Sequence, residues 1–172
     1  AEVKEKMGFQ FAIGGIHATY LEKGQYDLRK IVDIQHRHHL KTCADPLVDI
    51  LVHPYWFSKG EYDPKGFPWF DSMKAVPDAY ARELGQAAQA SGTAIEINGS
   101  AIFANPSFCS AFKEEYKHFL QVIAAEGALF SVGSDAHDVG ELKNVLTAVN
   151  VAKEIGLKPS QMWQPIGTPF LQ

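Results

Sequence analysis

Phe130-Ser131-Val132-Gly133-Ser134-Asp135-Ala136-His137 is an apolar run that stops abruptly at an aspartate and a histidine two residues apart. An extended strand sends residues i and i+2 to the same side, so at its end both side chains reach one small cavity. A carboxylate beside an imidazole suits a divalent metal. The same grammar occurs twice upstream, in Phe11-Ala12-Ile13-Gly14-Gly15-Ile16-His17 and in Val48-Asp49-Ile50-Leu51-Val52-His53-Pro54. Thr93-Ala94-Ile95-Glu96-Ile97-Asn98-Gly99 ends in polar residues instead. Ligands of parallel α/β folds bind at the carboxyl ends of the strands, so His17, His53, Asp135 and His137 are expected to converge in one cleft. A single histidine at such a place is more often a buried residue bonded to backbone. Three strand ends bearing His, His and Asp/His turn the balance toward a site.

Helical periodicity fills the intervals. It predicts helices near 27–41 (Leu28, Ile31, Val32 and Ile34 as the apolar side), 79–90 (ending at the Ser91-Gly92 cap signal), from about Ser107 to Gly127, and near 139–155 with Leu142, Val145, Leu146, Val149 and Val151 inward. Asp138 reads as the cap of that last helix. Strand and helix in alternation give an α/β fold built on parallel strands. Four such units cannot close a barrel, which takes eight strands and about 250 residues. The first strand begins almost at once and reads as buried, so it wants neighbours on both edges. The expectation is one domain over residues 1–172, the carboxyl-terminal portion of a larger fold whose amino-terminal strands are missing.

At 172 residues, 46% hydrophobic and 21% charged, the chain has the composition of one globular domain. A net charge of -4 offers no broad basic field for duplex nucleic acid or a membrane surface. The charged start, Ala1-Glu2-Val3-Lys4-Glu5-Lys6, followed by a short apolar strand, is neither a signal peptide nor a membrane span. Cys43 and Cys109 lack a framework spacing and are expected as small half-buried side chains in a reduced, cytoplasmic protein.

Gly14-Gly15-Ile16-His17, Val52-His53-Pro54, Ile95-Glu96-Ile97-Asn98 and Gly133-Ser134-Asp135-Ala136-His137, in this order and at these separations, resemble the later motifs of the PHP (polymerase and histidinol phosphatase) superfamily. The resemblance runs from about Phe9 to the last helix. It implies the parallel-stranded part of a distorted, TIM-like (β/α)7 barrel, two or three divalent metal ions (zinc, manganese or iron) at the strand ends, and phosphoester hydrolysis by metal-activated water. It makes His17 and His53 ligands of one metal, Asp135 of a second, and His137 of a second or third. Asp135 and His137 are then also the candidate catalytic residues, while Glu96 and Asn98 match a strand that supports the metals. The family's opening His-x-His pair, its next histidines and its bridging glutamate precede the matched region and are not in this sequence. The four residues are an incomplete ligand set, enough for about one weakly held metal, since zinc wants about four ligands, and a phosphoesterase that is inactive as this truncated chain is within the expectation.

The loop from Tyr55 to Trp69 follows the His53 strand end and is rich in aromatics. Its Trp56 and Lys59, with Asn98, are the candidate substrate-binding residues; the alternative is that the loop packs onto its own domain. His36-Arg37-His38-His39 looks like a metal tract but reads as a solvated helix face, and His118 carries no more. The expected partners are a small phosphorylated substrate or nucleotide, no membrane, and either the missing amino-terminal portion or a second copy of the chain. Two other readings stay open. An amidohydrolase-type enzyme would cleave C–N bonds, although no strand-end lysine is present to become a bridging carbamate. A non-catalytic fragment would only bind metal or a partner.

Overall fold

The computed structural model describes residues 2–17 and 21–165. Helix α1 (Glu2–Met7) leads into the two-residue strand β1 (Ile13–Gly14), after which come α2 (Leu28–Ala44), β2 (Ile50–Leu51), α3 (Lys59–Lys65), α4 (Asp78–Ser91), β3 (Ala94–Asn98), α5 (Ser110–Ala125), β4 (Phe130–Gly133) and α6 (Val145–Glu154). All four strands are parallel and lie in chain order, β1-β2-β3-β4. The expected α/β fold with a parallel sheet is therefore present. Among the described residues no helix is long and apolar enough to cross a membrane.

The helix boundaries follow local chemistry. Asp27 caps α2 by accepting the Lys30 N–H, and Gly92 ends α4 in the left-handed conformation expected of a C-cap glycine. Asp138 caps as predicted, accepting the Glu141 N–H, but the segment it starts is a 3-10 turn over Val139–Asn144 before α6 begins. That tighter winding, together with the inward pull of Ala148, Val151 and Ala152, turns Leu142 and Leu146 out to 57% and 63% exposure instead of inward. Ser107 lies before α5 and not at its start. Its N–H is held by Asn105 Oδ1 in a tight turn, and the helix starts only after Cys109.

Pleat alternation divides the sheet into two faces. Leu51, Ile95, Ile97 and Phe130 point into a core shared with Leu84, Phe112, Tyr116 and Leu120 of the covering helices. Ile50, Val52 and Ala94 point the other way, with Leu129 and Trp163 against them, and this face carries an apolar groove of about 390 Å³ between Phe11 and Trp163. β4 is flanked by the segment at Met162 and Trp163, whose N–H donates to Phe130 O. β1 pairs with β2 alone among the described strands, and Phe11 and Ile13 are 41% and 60% exposed, so it is not the buried strand its composition predicts.

Two further expectations are corrected. The Tyr55–Trp69 loop contains α3, and Tyr55, Phe57, Tyr62 and Phe67 are buried in the domain's own core. Cys43 is fully buried and Cys109 exposed, neither being half-buried.

Candidate functional site

The centre of the site is the turn that follows β2. His53 and Tyr55 hold φ values of 31° and 57°, left-handed conformations that cost a non-glycine residue about 1–3 kcal/mol and persist only where the surroundings over-determine them. Here they do. The His53 N–H donates to Glu96 Oε2 (3.0 Å) on β3, the Tyr55 N–H to His39 Nε2 (3.1 Å) on α2, and the Trp56 N–H to His53 O (3.0 Å). Tyr116 OH of α5 donates to Pro54 O (2.7 Å), and Gln35 Nε2 of α2 donates to Trp56 O (3.3 Å). Two helices and a strand thus grip the backbone of four consecutive residues.

That grip overturns the reading of His36-Arg37-His38-His39 as a solvated face. His36 and His39 are 4% and 1% exposed, because they continue the buried stripe Val32, Gln35, His36, His39, Cys43 at helical spacing. His36 lies stacked on Tyr80 at 3.9 Å, with Nδ1 at 2.8 Å from Tyr55 OH and Nε2 at 3.0 Å from Glu83. Because His39 Nε2 accepts a backbone N–H, its neutral ring carries the proton on Nδ1. Burial, and then the neighbouring His36, His53 and His38, push His39 down to about 3, so it stays neutral.

The clamped turn presents His53 to His17. The two rings meet edge to face at 4.8 Å between centroids, and Trp56 lies 5.2 Å from His53 and 5.7 Å from His17. Gly15 permits the approach, since a Cβ there would stand 2.6 Å from Val52 Cγ2. His53 is held down to about 4 chiefly by burial, then by His17, with Asp135 pulling the other way. It is therefore a neutral imidazole near pH 7, the state in which a histidine binds metal. Its Nδ1 is buried without a hydrogen-bond partner. Among the described residues five buried side-chain polar atoms lack partners, and four of them (Gln35 Oε1, His39 Nδ1, His53 Nδ1 and Trp56 Nε1) lie in this turn or on the helix beneath it. Unsatisfied buried groups are rare enough that such clustering calls for a ligand or a strained site.

Glu96 and Asp135 supply the negative charge. The Glu96 carboxylate is raised by burial, an effect opposed by its bonds from Asn98 Nδ2 (2.9 Å) and the His53 N–H and reinforced by Asp135. Its Oε1 occupies the space over Gly133, where a Cβ would stand only 2.1 Å away. Asn98 Oδ1 accepts the Ala101 N–H at 2.7 Å, so that amide is engaged at both ends within the protein. Asp135 is exposed and left-handed at φ 52°. His137 is exposed too. Its Nδ1 lies 3.1 Å from the carbonyl of Asp135 and its N–H donates to Glu141 Oε2 at 2.8 Å.

The structure thus joins His17 to His53 and sets Asp135 within electrostatic reach of His53 and Glu96, whereas His137 faces a neighbouring cavity together with Trp56, Asp135 and Glu141. Among the described residues no three His, Cys, Asp or Glu side chains form a ready metal-holding group. Lys59 points elsewhere, pairing with Asp63 at 3.1 Å and lying over the Trp69 ring; His118 pairs with Asp78 on a different face. His39, Gln35 and Tyr116 are the site's supports that sequence reasoning missed, although the stripe on α2 was a legible signal for the first two. Compared with known proteins, the sequence matches no family model and no curated protein.

Proposed function

We propose that this chain is a metal-dependent phosphoesterase domain, its four strands belonging to a distorted TIM-like (β/α)7 barrel. The carrying observation is the strained and clamped turn that holds a neutral, buried His53, its Nδ1 without a partner, against His17 and within electrostatic reach of Asp135. These residues stand at the carboxyl ends of β1, β2 and β4, where parallel α/β folds bind ligands.

Two imidazoles and a carboxylate are donors that zinc, manganese and iron all accept. His17 and His53 would hold one ion, and Asp135 with His137 would contribute to another. A bound ion there supplies an activated water and positive charge for the phosphate oxygens. The chain's own groups do the rest. Trp56 packs on both histidine rings and keeps bulk water from His53. Glu96 fixes the His53 backbone. The Asp135 carbonyl accepts a hydrogen bond from His137 Nδ1–H, which leaves the unprotonated Nε2 of an exposed imidazole to take up an ion or to accept a proton as general base.

The test is hydrolysis by the full chain, stripped with EDTA and restored with manganese or zinc, of p-nitrophenyl phosphate, bis(p-nitrophenyl) phosphate and p-nitroacetanilide. Turnover of a phosphate ester that requires the metal is expected. Cleavage of the anilide alone would move the assignment to the amidohydrolase-type reading, and no turnover of any substrate would move it to the non-catalytic, metal- or partner-binding reading.

A further inference from the structure

His36 and His39 stand one turn apart on α2 and take Tyr55 at its two ends. His39 Nε2 accepts its backbone N–H, and His36 Nδ1 lies 2.8 Å from its hydroxyl. Tyr55 is fully buried at φ 57°, inside the turn that carries His53 and Trp56. On the far side of the His36 ring, Nε2 lies 3.0 Å from Glu83 Oε2 of α4. The ring is held flat against Tyr80, whose own hydroxyl donates to Asp33 Oδ1 at 2.7 Å. Glu83 is 57% exposed. A chain of polar contacts therefore runs from a surface carboxylate on α4, through a buried imidazole on α2, to the strained turn after β2.

The direction of its hydrogen bonds follows from the two ends. A carboxylate only accepts, so Glu83 places the proton of the neutral His36 ring on Nε2, and Nδ1 accepts the Tyr55 O–H. With the proton on Nδ1 instead, the ring would donate to Tyr55, strand the phenol proton in the core and turn a bare Nε2 toward the Glu83 oxygens. A buried hydroxyl proton left unmet costs about as much as a left-handed tyrosine does, so losing this bond removes what offsets the strain of the turn. Resting on the reading of His17 and His53 as metal ligands, we infer that Glu83 and His36 are positioning residues: Glu83 selects the His36 tautomer, and that tautomer locks the Tyr55 turn that aims His53 at His17.

The experiment uses the EDTA-stripped full chain with isotope-labelled histidine, its Glu83→Ala and Tyr55→Phe variants, and Ile123→Val as a core change away from the turn. Long-range proton–nitrogen NMR spectra at mildly alkaline pH are expected to show the His36 proton on Nε2 in the unaltered protein and partly on Nδ1 in Glu83→Ala. Zinc affinity should fall at least about tenfold in Glu83→Ala and in Tyr55→Phe, as for other lost supports of metal ligands, and hold in Ile123→Val. An Nδ1 proton on His36 in the unaltered protein overturns the inference, as does an unmoved tautomer in Glu83→Ala. So does unchanged zinc affinity in either turn variant, or an equal loss in Ile123→Val. If the unaltered chain binds no zinc, the metal reading fails by itself, and amide hydrogen exchange decides whether the contacts lock the turn. Exchange of the Tyr55 and Trp56 amides at least about tenfold faster in both turn variants, with Leu120 of α5 unchanged, sustains the lock. Unchanged exchange at the turn, or equal acceleration at Leu120, overturns it.

Discussion

His53, Tyr55 and Asp135 are the non-glycine residues with left-handed backbone among those described, and two of the three are candidate ligands. Backbone strain of this kind clusters where side chains must be aimed, and that is what supports the proposed role of His53 and Asp135. Asp135→Asn tests this at the level of one residue. Asparagine tolerates the left-handed conformation about as well as aspartate, so the backbone is preserved while the charge is lost. Activity should fall by about a thousandfold or more, several kcal/mol of transition-state stabilisation, and the metal-free thermal midpoint should move by no more than a few degrees. A variant that keeps near-normal kcat would remove Asp135 from the metal-binding role, and a midpoint lowered by tens of degrees would make it a structural residue. The three strand-end motifs were readable because an apolar run followed by His or Asp is a local pattern. The orphaned Nδ1 of His53 was not, because it depends on what the fold packs around the ring.

At the scale of elements, α2 does more than cover the sheet. Its stripe begins with Ile31 and Val32 and continues through Gln35, His36 and His39, polar side chains in positions that normally hold apolar ones. Read by composition, the His-rich tract looks solvated; read by spacing, it belongs to the buried face, and spacing is the property that decides which way a side chain points. The buried imidazoles make stability depend on pH. His39 and His53 titrate at about 3 and 4 in the folded chain against the usual 6.5, so the unfolded chain binds more protons between these values. Their stabilisation is complete above pH 6.5 and is lost as the pH falls through it toward 4, each contributing a slope of up to about 1.4 kcal/mol per pH unit. Glu96, raised in the folded state, acts in the opposite sense over its own range and offsets part of the loss. Thermal midpoints of the metal-free chain should therefore drop between pH 7 and pH 5. In His39→Gln, whose amide oxygen can still accept the Tyr55 N–H, the drop should be smaller. A midpoint that is flat or rises on acidification would contradict the buried, neutral state of these histidines.

Over the whole molecule, the sheet is covered on one face and partly open on the other. Met7, Phe9, Phe11 and Ile13 are 63%, 55%, 41% and 60% exposed along the β1 side, next to the apolar groove that ends at Trp163. An edge strand with a row of exposed apolar side chains favours association. Sedimentation is expected to show concentration-dependent self-association, reduced by Phe11→Lys or Ile13→Lys; a compact monomer at every concentration would contradict this. The parallel α/β class was legible from four βα intervals, and among the described strands β1 pairs with β2 alone. The degree to which β1 stays uncovered was not legible, since exposure on that face depends on which surfaces meet in three dimensions. Whether the strand-end residues work as one centre is decided most directly by calorimetric titration of zinc into the EDTA-stripped full chain and its His17→Ala and His53→Ala variants. At least one site is expected in the unaltered protein, weakened by at least about tenfold in each variant, as is found even for lost supports of metal ligands. Equal zinc affinity in all three proteins, or no binding by the unaltered chain, would contradict a shared centre.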